Sequence, residues 1–129
     1  MFLRTGVDLI EVNRIHEAVN RHGVRLLRRV FTPRELQDCA GNPKSLAVRF
    51  AAKEAVSKAF GTGIGVVGFK EIEIVRLSSG APELFLHGKA AKVAEELGLE
   101  TWSISLSHSD QYAVAFVVMA GTGLNRVGG

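Results

Sequence analysis

Two charged pairs on one predicted helix have a spacing that could serve chemistry. Arg49 and Lys53 are four residues apart, as are Glu54 and Lys58, so the members of each pair share a helix face. Such charges could form a site for an ionic ligand, but they are also common on solvated helix surfaces. The spacing alone leaves both interpretations open.

A glycine-rich loop, Gly61-Thr62-Gly63-Ile64-Gly65, follows this helix immediately. Glycine lets the backbone approach a phosphate group closely. This loop comes after a helix, whereas a P-loop or a dinucleotide-binding fingerprint comes before one. The pattern therefore predicts either a phosphate-contacting loop of another kind or an ordinary helix cap followed by a turn.

Asp8 is an isolated carboxylate at the predicted end of an apolar strand over residues 3–8. Mg²⁺ prefers oxygen ligands and is often held by one or two carboxylates together with phosphate oxygens. Asp8 and Glu54 would supply that pair if the fold brings the strand end against the helix. Asp8 could instead be a cap or turn residue, and Glu11 is the nearest alternative carboxylate.

His108 belongs to a polar segment between two predicted strands, 101–107 and 111–119. Its imidazole could contact a substrate phosphate, or it could be an ordinary histidine of a hairpin loop. The residue type and its place in the chain fit both roles.

A basic stripe lies in the predicted helix over residues 12–30. Its members follow one another by seven, four and three residues and are Arg14, Arg21, Arg25 and Arg28. Only one acid, Glu17, is interleaved with them, which favours a docking surface for an acidic partner over a merely solvated face. The partner could be a nucleic acid, a protein or a phosphorylated cofactor. A helix break at Gly23 would shift the last two arginines.

The elements that must position these residues mix strands and helices without regular alternation. Predicted helices cover residues 12–30, 32–40, 45–60 and 89–97, and predicted strands cover residues 3–8, 70–77, 82–87, 101–107 and 111–119. This pattern predicts an α+β fold in which an antiparallel sheet packs against a long central helix.

The composition is that of one compact domain. The chain has 129 residues, of which 47% are hydrophobic and 22% charged, and its net charge is +3. We expect the domain to cover residues 1–120 and residues 121–129 to form a flexible tail. A single cysteine, Cys39, and the lack of a secretory or membrane-spanning segment predict a cytoplasmic protein.

Three segments together resemble the holo-acyl-carrier-protein synthases, the small single-domain type of 4′-phosphopantetheinyl transferase. The segments are Gly6-Val7-Asp8-Leu9-Ile10-Glu11-Val12 with Arg14-Ile15, then Arg49-Phe50-Ala51-Ala52-Lys53-Glu54-Ala55 with Lys58-Ala59-Phe60-Gly61-Thr62-Gly63-Ile64-Gly65, and finally Ser105-Leu106-Ser107-His108 with Tyr112-Ala113-Val114-Ala115. The resemblance runs from about residue 5 to residue 119, and its second segment is the most specific.

The resemblance implies a fold and a reaction. The fold is that of the 4′-phosphopantetheinyl transferases, and the reaction moves 4′-phosphopantetheine from coenzyme A to a serine of apo-acyl carrier protein, releasing adenosine 3′,5′-bisphosphate. Asp8 and Glu54 resemble the two Mg²⁺ ligands of the family, and Glu54 would help to deprotonate the serine. Lys58 resembles the lysine that steadies the pyrophosphate and the departing phosphate.

The same resemblance implies the binding partners. The coenzyme A cleft would be lined by Gly61, Thr62, Gly63 and Ile64, with Arg49, Phe50, Ser57, Lys58 and His108 nearby. The basic stripe would meet the acidic helix of acyl carrier protein. Family members are trimers with active sites between neighbouring subunits, so a homotrimer is expected, and neither a nucleic acid nor a membrane is expected as a partner.

A rival interpretation is a non-catalytic basic module that binds an acidic protein or a nucleic acid through the basic stripe. This interpretation explains the arginines, but it does not explain why Asp8, Glu54 and Lys58 occur together with the glycine loop. Aromatic residues, which would stack on bases, make up only 7% of the chain. The transferase interpretation is therefore preferred.

Overall fold

The computed structural model describes residues 1–124, so residues 125–129 of the predicted tail lie outside the described residues. The elements, in chain order, are β1 (Phe2–Glu11), α1 (Val12–Val30), α2 (Pro33–Cys39), α3 (Pro43–Phe60), a short 3₁₀ helix (Phe69–Glu71), β2 (Ile72–Arg76), β3 (Pro82–Leu86), α4 (Gly88–Glu96), β4 (Thr101–His108) and β5 (Tyr112–Gly121). None of the helices in the described part of the chain is long and apolar enough to cross a membrane.

The strands form two antiparallel sheets. β1, β5 and β4 lie side by side in that order, and β2 pairs with β3 as a separate hairpin. The first sheet packs against α3, so the predicted α+β fold with a central helix is confirmed. β5 continues to Gly121, which pairs with Phe2, and so extends one residue beyond the predicted domain boundary at residue 120.

α3 can be the central helix because it presents small residues to its neighbours. Ala51, Ala52 and Ala55 have no exposed surface, and side chains of this size let strands and helices approach closely. The Asn42 side chain caps the first turn by accepting hydrogen bonds from the backbone N–H groups of residues 44 and 45. The helix therefore begins at Pro43, two residues before the predicted start.

β1 crosses α3 at Gly6, where the strand and the helix come into direct backbone contact. A Cβ atom at Gly6 would overlap the carbonyl group of Ala55, so a glycine is needed at this crossing. Successive residues of a strand point to opposite faces, so Asp8 projects to the same side of β1 as Gly6. The crossing therefore directs Asp8 toward α3.

α1 is interrupted at Gly23, which has φ 60° and ψ −140°. The break that the sequence left possible at this glycine is present, and it separates the first half of the basic stripe from the second. α2 begins one residue after its predicted start, with Thr32 as its cap: the Thr32 side chain accepts a hydrogen bond from Glu35 N, and Thr32 N donates to Glu35 Oε1.

Candidate active site

Asp8 and Lys58 form an ion pair where β1 crosses α3. Lys58 Nζ lies 2.8 Å from Asp8 Oδ1 and also donates to the backbone carbonyl of Val7 at 3.2 Å. The Asp8 side chain is 17% exposed and the Lys58 side chain 54%, so the pair opens to solvent on the lysine side. Asp8 does not end its strand as predicted, because β1 continues in register with β5 as far as Glu11.

Glu54 completes an acidic pair with Asp8. It lies one turn before Lys58 on α3 and is half-buried. Burial raises the pKa of Glu54, the negative charge of Asp8 raises it further, and the positive charge of Lys58 opposes both effects. The three side chains therefore interact electrostatically, and the sequence prediction that they share a site agrees with their placement.

Glu11, the alternative carboxylate, has a different position. It is the last residue of β1 and immediately precedes α1, with an exposed side chain and no side-chain capping bond to that helix. Because strand residues alternate between faces, its side chain points to the opposite side of β1 from Asp8.

The glycine loop (residues 61–65) begins as the cap of α3. Gly61 adopts a left-handed conformation with φ 79°, and its N–H bonds back to the carbonyls of residues 57 and 58. Thr62 N and Gly63 N also donate to Ser57 O, at 3.2 and 3.3 Å. The helix-cap interpretation is thus correct for Gly61. The cap at Gly61 does not decide whether the loop contacts coenzyme A, so that contact stays a prediction for Gly61, Thr62, Gly63 and Ile64.

Ser57 and Phe50 were predicted to lie near the coenzyme, but neither side chain faces the Asp8–Lys58 pair. Ser57 is fully buried, and its hydroxyl donates to the carbonyl of Glu54 at 2.7 Å, inside the helix. The Phe50 ring packs on Phe69, with 5.5 Å between ring centroids. Phe50 also lines an apolar cavity of about 210 Å³ beside α1, together with Arg14 of the basic stripe.

Arg49 and His108 both line a polar groove of about 300 Å³ between α3, β4 and the β2–β3 hairpin. Arg49 is 3% exposed, and its guanidinium donates to the carbonyls of Ile74 and Ser45, each at 3.3 Å. His108 was predicted to lie in the connection between two strands, but it is the last residue of β4. The described lining of this groove includes two arginines and a histidine but no acidic residue.

Arg49 and Lys53 are buried, so the solvated-surface interpretation is wrong for this pair. Lys53 has no exposed surface and forms an ion pair with Glu35, at 2.8 Å. Burial lowers the pKa of Lys53, and the neighbouring carboxylate of Glu35 opposes this effect. Lys58 is exposed, which shows that spacing alone could not separate a core charge from a surface charge.

Sequence reasoning missed Arg76 and Glu35. Arg76 ends β2 and lines the polar groove beside Arg49. Glu35 is the buried partner of Lys53. Both contacts depend on packing between distant segments, and no local pattern in the chain signals them.

The four arginines of the basic stripe are all exposed: Arg14, Arg21, Arg25 and Arg28. The bend at Gly23 means that the four do not form the single straight row expected of a continuous helix. Arg14 stands at the apolar cavity beside α1, so this part of the surface combines positive charge with apolar lining.

The fold and the site together define a small α+β domain. One helix presents a glutamate and a lysine beside a glycine loop, and an aspartate of the first strand lies next to them. A family model described as the 4′-phosphopantetheinyl transferase superfamily matches residues 4–117. The chain therefore belongs to the 4′-phosphopantetheinyl transferase superfamily.

The relatives agree with this assignment over nearly the full chain. The holo-[acyl-carrier-protein] synthase of Herpetosiphon aurantiacus is 49% identical over 126 residues, which cover 92% of this chain and 99% of that protein. The corresponding protein of Moorella thermoacetica is 45% identical over 120 residues, covering 91% and 93%.

Solved structures also share the fold. The holo-[acyl-carrier-protein] synthase of Helicobacter pylori in complex with coenzyme A superposes with a TM-score of 0.82 at 32% identity, covering 90% of this chain and 99% of that one. The protein from Neisseria meningitidis gives a TM-score of 0.82 at 39% identity, covering 91% and 97%. The predicted transferase fold is therefore confirmed.

Proposed function

We propose that this protein transfers 4′-phosphopantetheine from coenzyme A to a serine hydroxyl of apo-acyl carrier protein. The products are holo-acyl carrier protein and adenosine 3′,5′-bisphosphate. The observation that carries the proposal is the grouping of Asp8, Glu54 and Lys58 where β1 crosses α3, in a chain whose relatives are named holo-[acyl-carrier-protein] synthases. This grouping suits transfer of a phosphorylated group, which needs positioning and charge stabilisation rather than a protein nucleophile.

The donor set of the site fits Mg²⁺. Asp8 and Glu54 offer hard carboxylate oxygens. Burial and, after it, the charge of Asp8 raise the pKa of Glu54, and a bound cation would balance the two carboxylates. Within residues 1–124 no group of three or more histidine, cysteine or acidic side chains could hold a metal, so water and phosphate oxygens would complete the coordination. Bound there, the ion would polarise the pyrophosphate and lower the pKa of a coordinated water.

The residues of the chain have separate tasks in this reaction. Glu54 accepts the proton of the acceptor serine, directly or through a water molecule, as the serine oxygen bonds to the β-phosphorus. The bond from that phosphorus to the bridging oxygen breaks, and the electron pair leaves with adenosine 3′,5′-bisphosphate. Lys58 is half-exposed beside Asp8, so its ammonium group can turn to the departing phosphate and stabilise its charge.

The glycine loop and the polar groove are the proposed binding surfaces for coenzyme A. The loop begins three residues after Lys58 and its first residue, Gly61, is exposed, so a pyrophosphate beside Lys58 would lie against it. The groove supplies positive charge from Arg49 and Arg76, with His108 at its rim, and so suits a phosphorylated nucleotide. Ser57 and Phe50 would support these surfaces from inside the fold, because their side chains bond to or pack against other residues.

The basic stripe is the proposed docking surface for acyl carrier protein. Its arginines are exposed, and Arg14 lies at an apolar cavity whose walls include Ile15 and Phe50. Positive charge beside an apolar recess suits an acidic partner helix that also carries apolar residues. We therefore assign Arg14, Arg21, Arg25 and Arg28 to partner binding.

The open face of the larger sheet supports the proposed homotrimer. This face carries large apolar side chains that are 43–65% exposed, namely Leu3, Val7, Leu9 and Phe116, with Tyr112 beside them. In register, Val7 lies opposite Phe116, so these side chains form one continuous surface. An apolar surface of this kind suits burial against further copies of the chain. We place the trimer, and its reaction, in the cytoplasm.

Nucleotide release tests the proposed function. With coenzyme A, Mg²⁺ and apo-acyl carrier protein, we expect adenosine 3′,5′-bisphosphate to form in proportion to the carrier modified, as measured by liquid chromatography. Omitting the carrier or adding EDTA should stop its formation. Nucleotide release that does not depend on the carrier would indicate hydrolysis of coenzyme A instead of transfer.

A further inference from the structure

A buried ion pair joins α2 to the helix that carries Glu54. Lys53 and Glu35 both have 0% exposed surface, and Lys53 Nζ lies 2.8 Å from Glu35 Oε1. Glu35 also accepts hydrogen bonds from Thr32 N at 2.9 Å and from Ile74 N at 3.0 Å. Its carboxylate is therefore fixed by α2 on one side and by β2 on the other.

Lys53 holds the backbone that follows the glycine loop. Its ammonium group donates to the carbonyls of Phe69 at 2.9 Å and Ile72 at 2.5 Å, in addition to Glu35. An ammonium group has three donors and no acceptor. The three acceptors therefore satisfy it completely, and two of them belong to the 3₁₀ helix and the first residue of β2.

The segment over residues 61–68 is attached to α3 at both of its ends. Its first anchor is the end of the helix, where Ser57 O accepts from Thr62 N and Gly63 N. Its second anchor is Phe69, whose carbonyl is held by Lys53. Glycine restrains the backbone weakly, so the position of the glycine loop depends on where its ends are fixed. Lys53 is the residue immediately before Glu54, so this second anchor fixes the far end of the loop segment to the helix that carries Glu54.

We propose that Lys53, oriented by Glu35, is a positioning residue that sets the glycine loop relative to Glu54 and Lys58, and thereby the affinity for coenzyme A. The proposal rests on the proposed function of the site. Stability alone does not require the charges, because an apolar pair of similar volume often replaces a buried ion pair without loss. An apolar pair could not donate hydrogen bonds to the carbonyls of Phe69 and Ile72.

The test compares Lys53→Met with the double variant Lys53→Met/Glu35→Gln. The double variant leaves no unpaired buried charge and is expected to fold where the single variant is unstable. We expect each folded variant to raise KM for coenzyme A about tenfold while KM for acyl carrier protein changes less than about twofold. In hydrogen exchange without substrates, amides of residues 61–72 should exchange faster than in the unmodified protein.

Met119→Ala is the matched control. Met119 is fully buried in β5 and pairs with Arg4, far along the sheet from Asp8, which pairs with Ala115. Its truncation should destabilise the protein but leave both KM values and the exchange of residues 61–72 unchanged.

Three outcomes would overturn the proposal. The first is an unchanged KM for coenzyme A in the folded double variant. The second is a rise of KM for coenzyme A in Met119→Ala that equals the rise in the Lys53 variants. The third is failure of both Lys53 variants to fold, which would make the ion pair purely structural. If the unmodified protein transfers nothing, the proposed function has failed separately. Hydrogen exchange then still decides whether Lys53 restrains the loop.

Discussion

Glu54 combines two properties that set it apart from the other carboxylates of the described chain. It lies beside both Asp8 and Lys58, and burial together with the charge of Asp8 raises its pKa. A carboxylate whose ionised form is destabilised in this way gains from a bound cation and accepts a proton more readily than an ordinary glutamate.

Glu54→Gln should therefore lower the rate of transfer by at least about 100-fold, since it removes a charged group that acts in the transition state. The side-chain volume hardly changes, so circular dichroism should show an intact fold. Glu11→Gln is the matched control, because Glu11 is exposed and lies on the other face of β1. Retained activity in Glu54→Gln at saturating Mg²⁺ would remove the role assigned to this residue.

The same raised pKa predicts how stability depends on pH in the metal-free protein. Folding favours protonated Glu54, so its contribution to stability is fully present below the pKa of the unfolded chain and is lost as pH rises through the higher folded-state pKa. Urea unfolding should therefore show that Glu54→Gln is at least as stable as the unmodified protein at neutral pH. A clear loss of stability at neutral pH in the variant would show that the ionised carboxylate stabilises the fold.

Residue types and spacing left the roles of Asp8, Glu54 and Lys58 open, and the resemblance to a family singled the three out. The same reasoning could not distinguish Lys53 from Lys58. Both are lysines on one helix, and only the packing of α2 and β2 against α3 shows that Lys53 is buried and Lys58 exposed. Arg76 was missed for the same reason.

Among the elements, the contact between β1 and α3 matters most for the site. It exists because Gly6 has no side chain, and it brings Asp8 to Lys58. The end of α3 was predicted correctly at the Gly61 cap, whereas its start was placed two residues late although Asn42 caps it. The length of β1 was not predicted correctly, because pairing with β5 extends the strand to Glu11, and such pairing is not visible in a local sequence pattern.

Gly6→Ala should push β1 away from α3. We expect a loss of about 1–3 kcal/mol in the free energy of unfolding, which is typical of overpacking a close contact. Transfer activity should fall as well, because Asp8 moves from Lys58. Ser78→Ala alters an exposed position in the β2–β3 turn, away from this crossing and from the open sheet face, and should leave stability and activity nearly unchanged in the same chemical-denaturation and transfer assays. Unaltered stability of Gly6→Ala would show that the two elements can separate at little cost.

For the molecule as a whole, positive charge is concentrated on two separate surfaces. The basic stripe lies on α1, whereas the groove proposed for coenzyme A lies between α3, β4 and the β2–β3 hairpin. The proposed function thus assigns one basic surface to the carrier protein and another to the nucleotide. The sequence identified the arginines of the stripe, but only the fold shows the bend that divides them and the apolar cavity at Arg14.

Reversing Arg14 and Arg21 to glutamate should raise KM for acyl carrier protein at least about tenfold more than KM for coenzyme A, because it places repulsion on the docking surface. Lys89→Glu/Lys92→Glu on α4 makes the same change in net charge at exposed positions and serves as the control. Equal effects of the two double variants on KM for the carrier would mean that overall charge, and not docking at the basic stripe, governs binding.

Leu9→Glu should prevent assembly of the proposed trimer, since Leu9 is 65% exposed on the open face of the larger sheet and its replacement would bury a charge between subunits. Light scattering after size-exclusion chromatography should then report a monomer with reduced transfer activity. Leu77→Glu, at an apolar position 39% exposed beside the β2–β3 turn, should leave the trimer intact. A trimeric Leu9→Glu variant would rule out this face as the interface.

The transfer itself is best tested by intact-mass analysis of apo-acyl carrier protein incubated with this protein, coenzyme A and Mg²⁺, beside a sample containing EDTA. We predict a gain of about 340 Da, the mass of one phosphopantetheine group, in the sample with metal and none in the sample with EDTA. A carrier in which alanine replaces the acceptor serine should gain no mass. No gain in any of several competent apo-carriers, from folded protein with Mg²⁺ present, would contradict the proposed reaction and favour a binding protein without transferase activity.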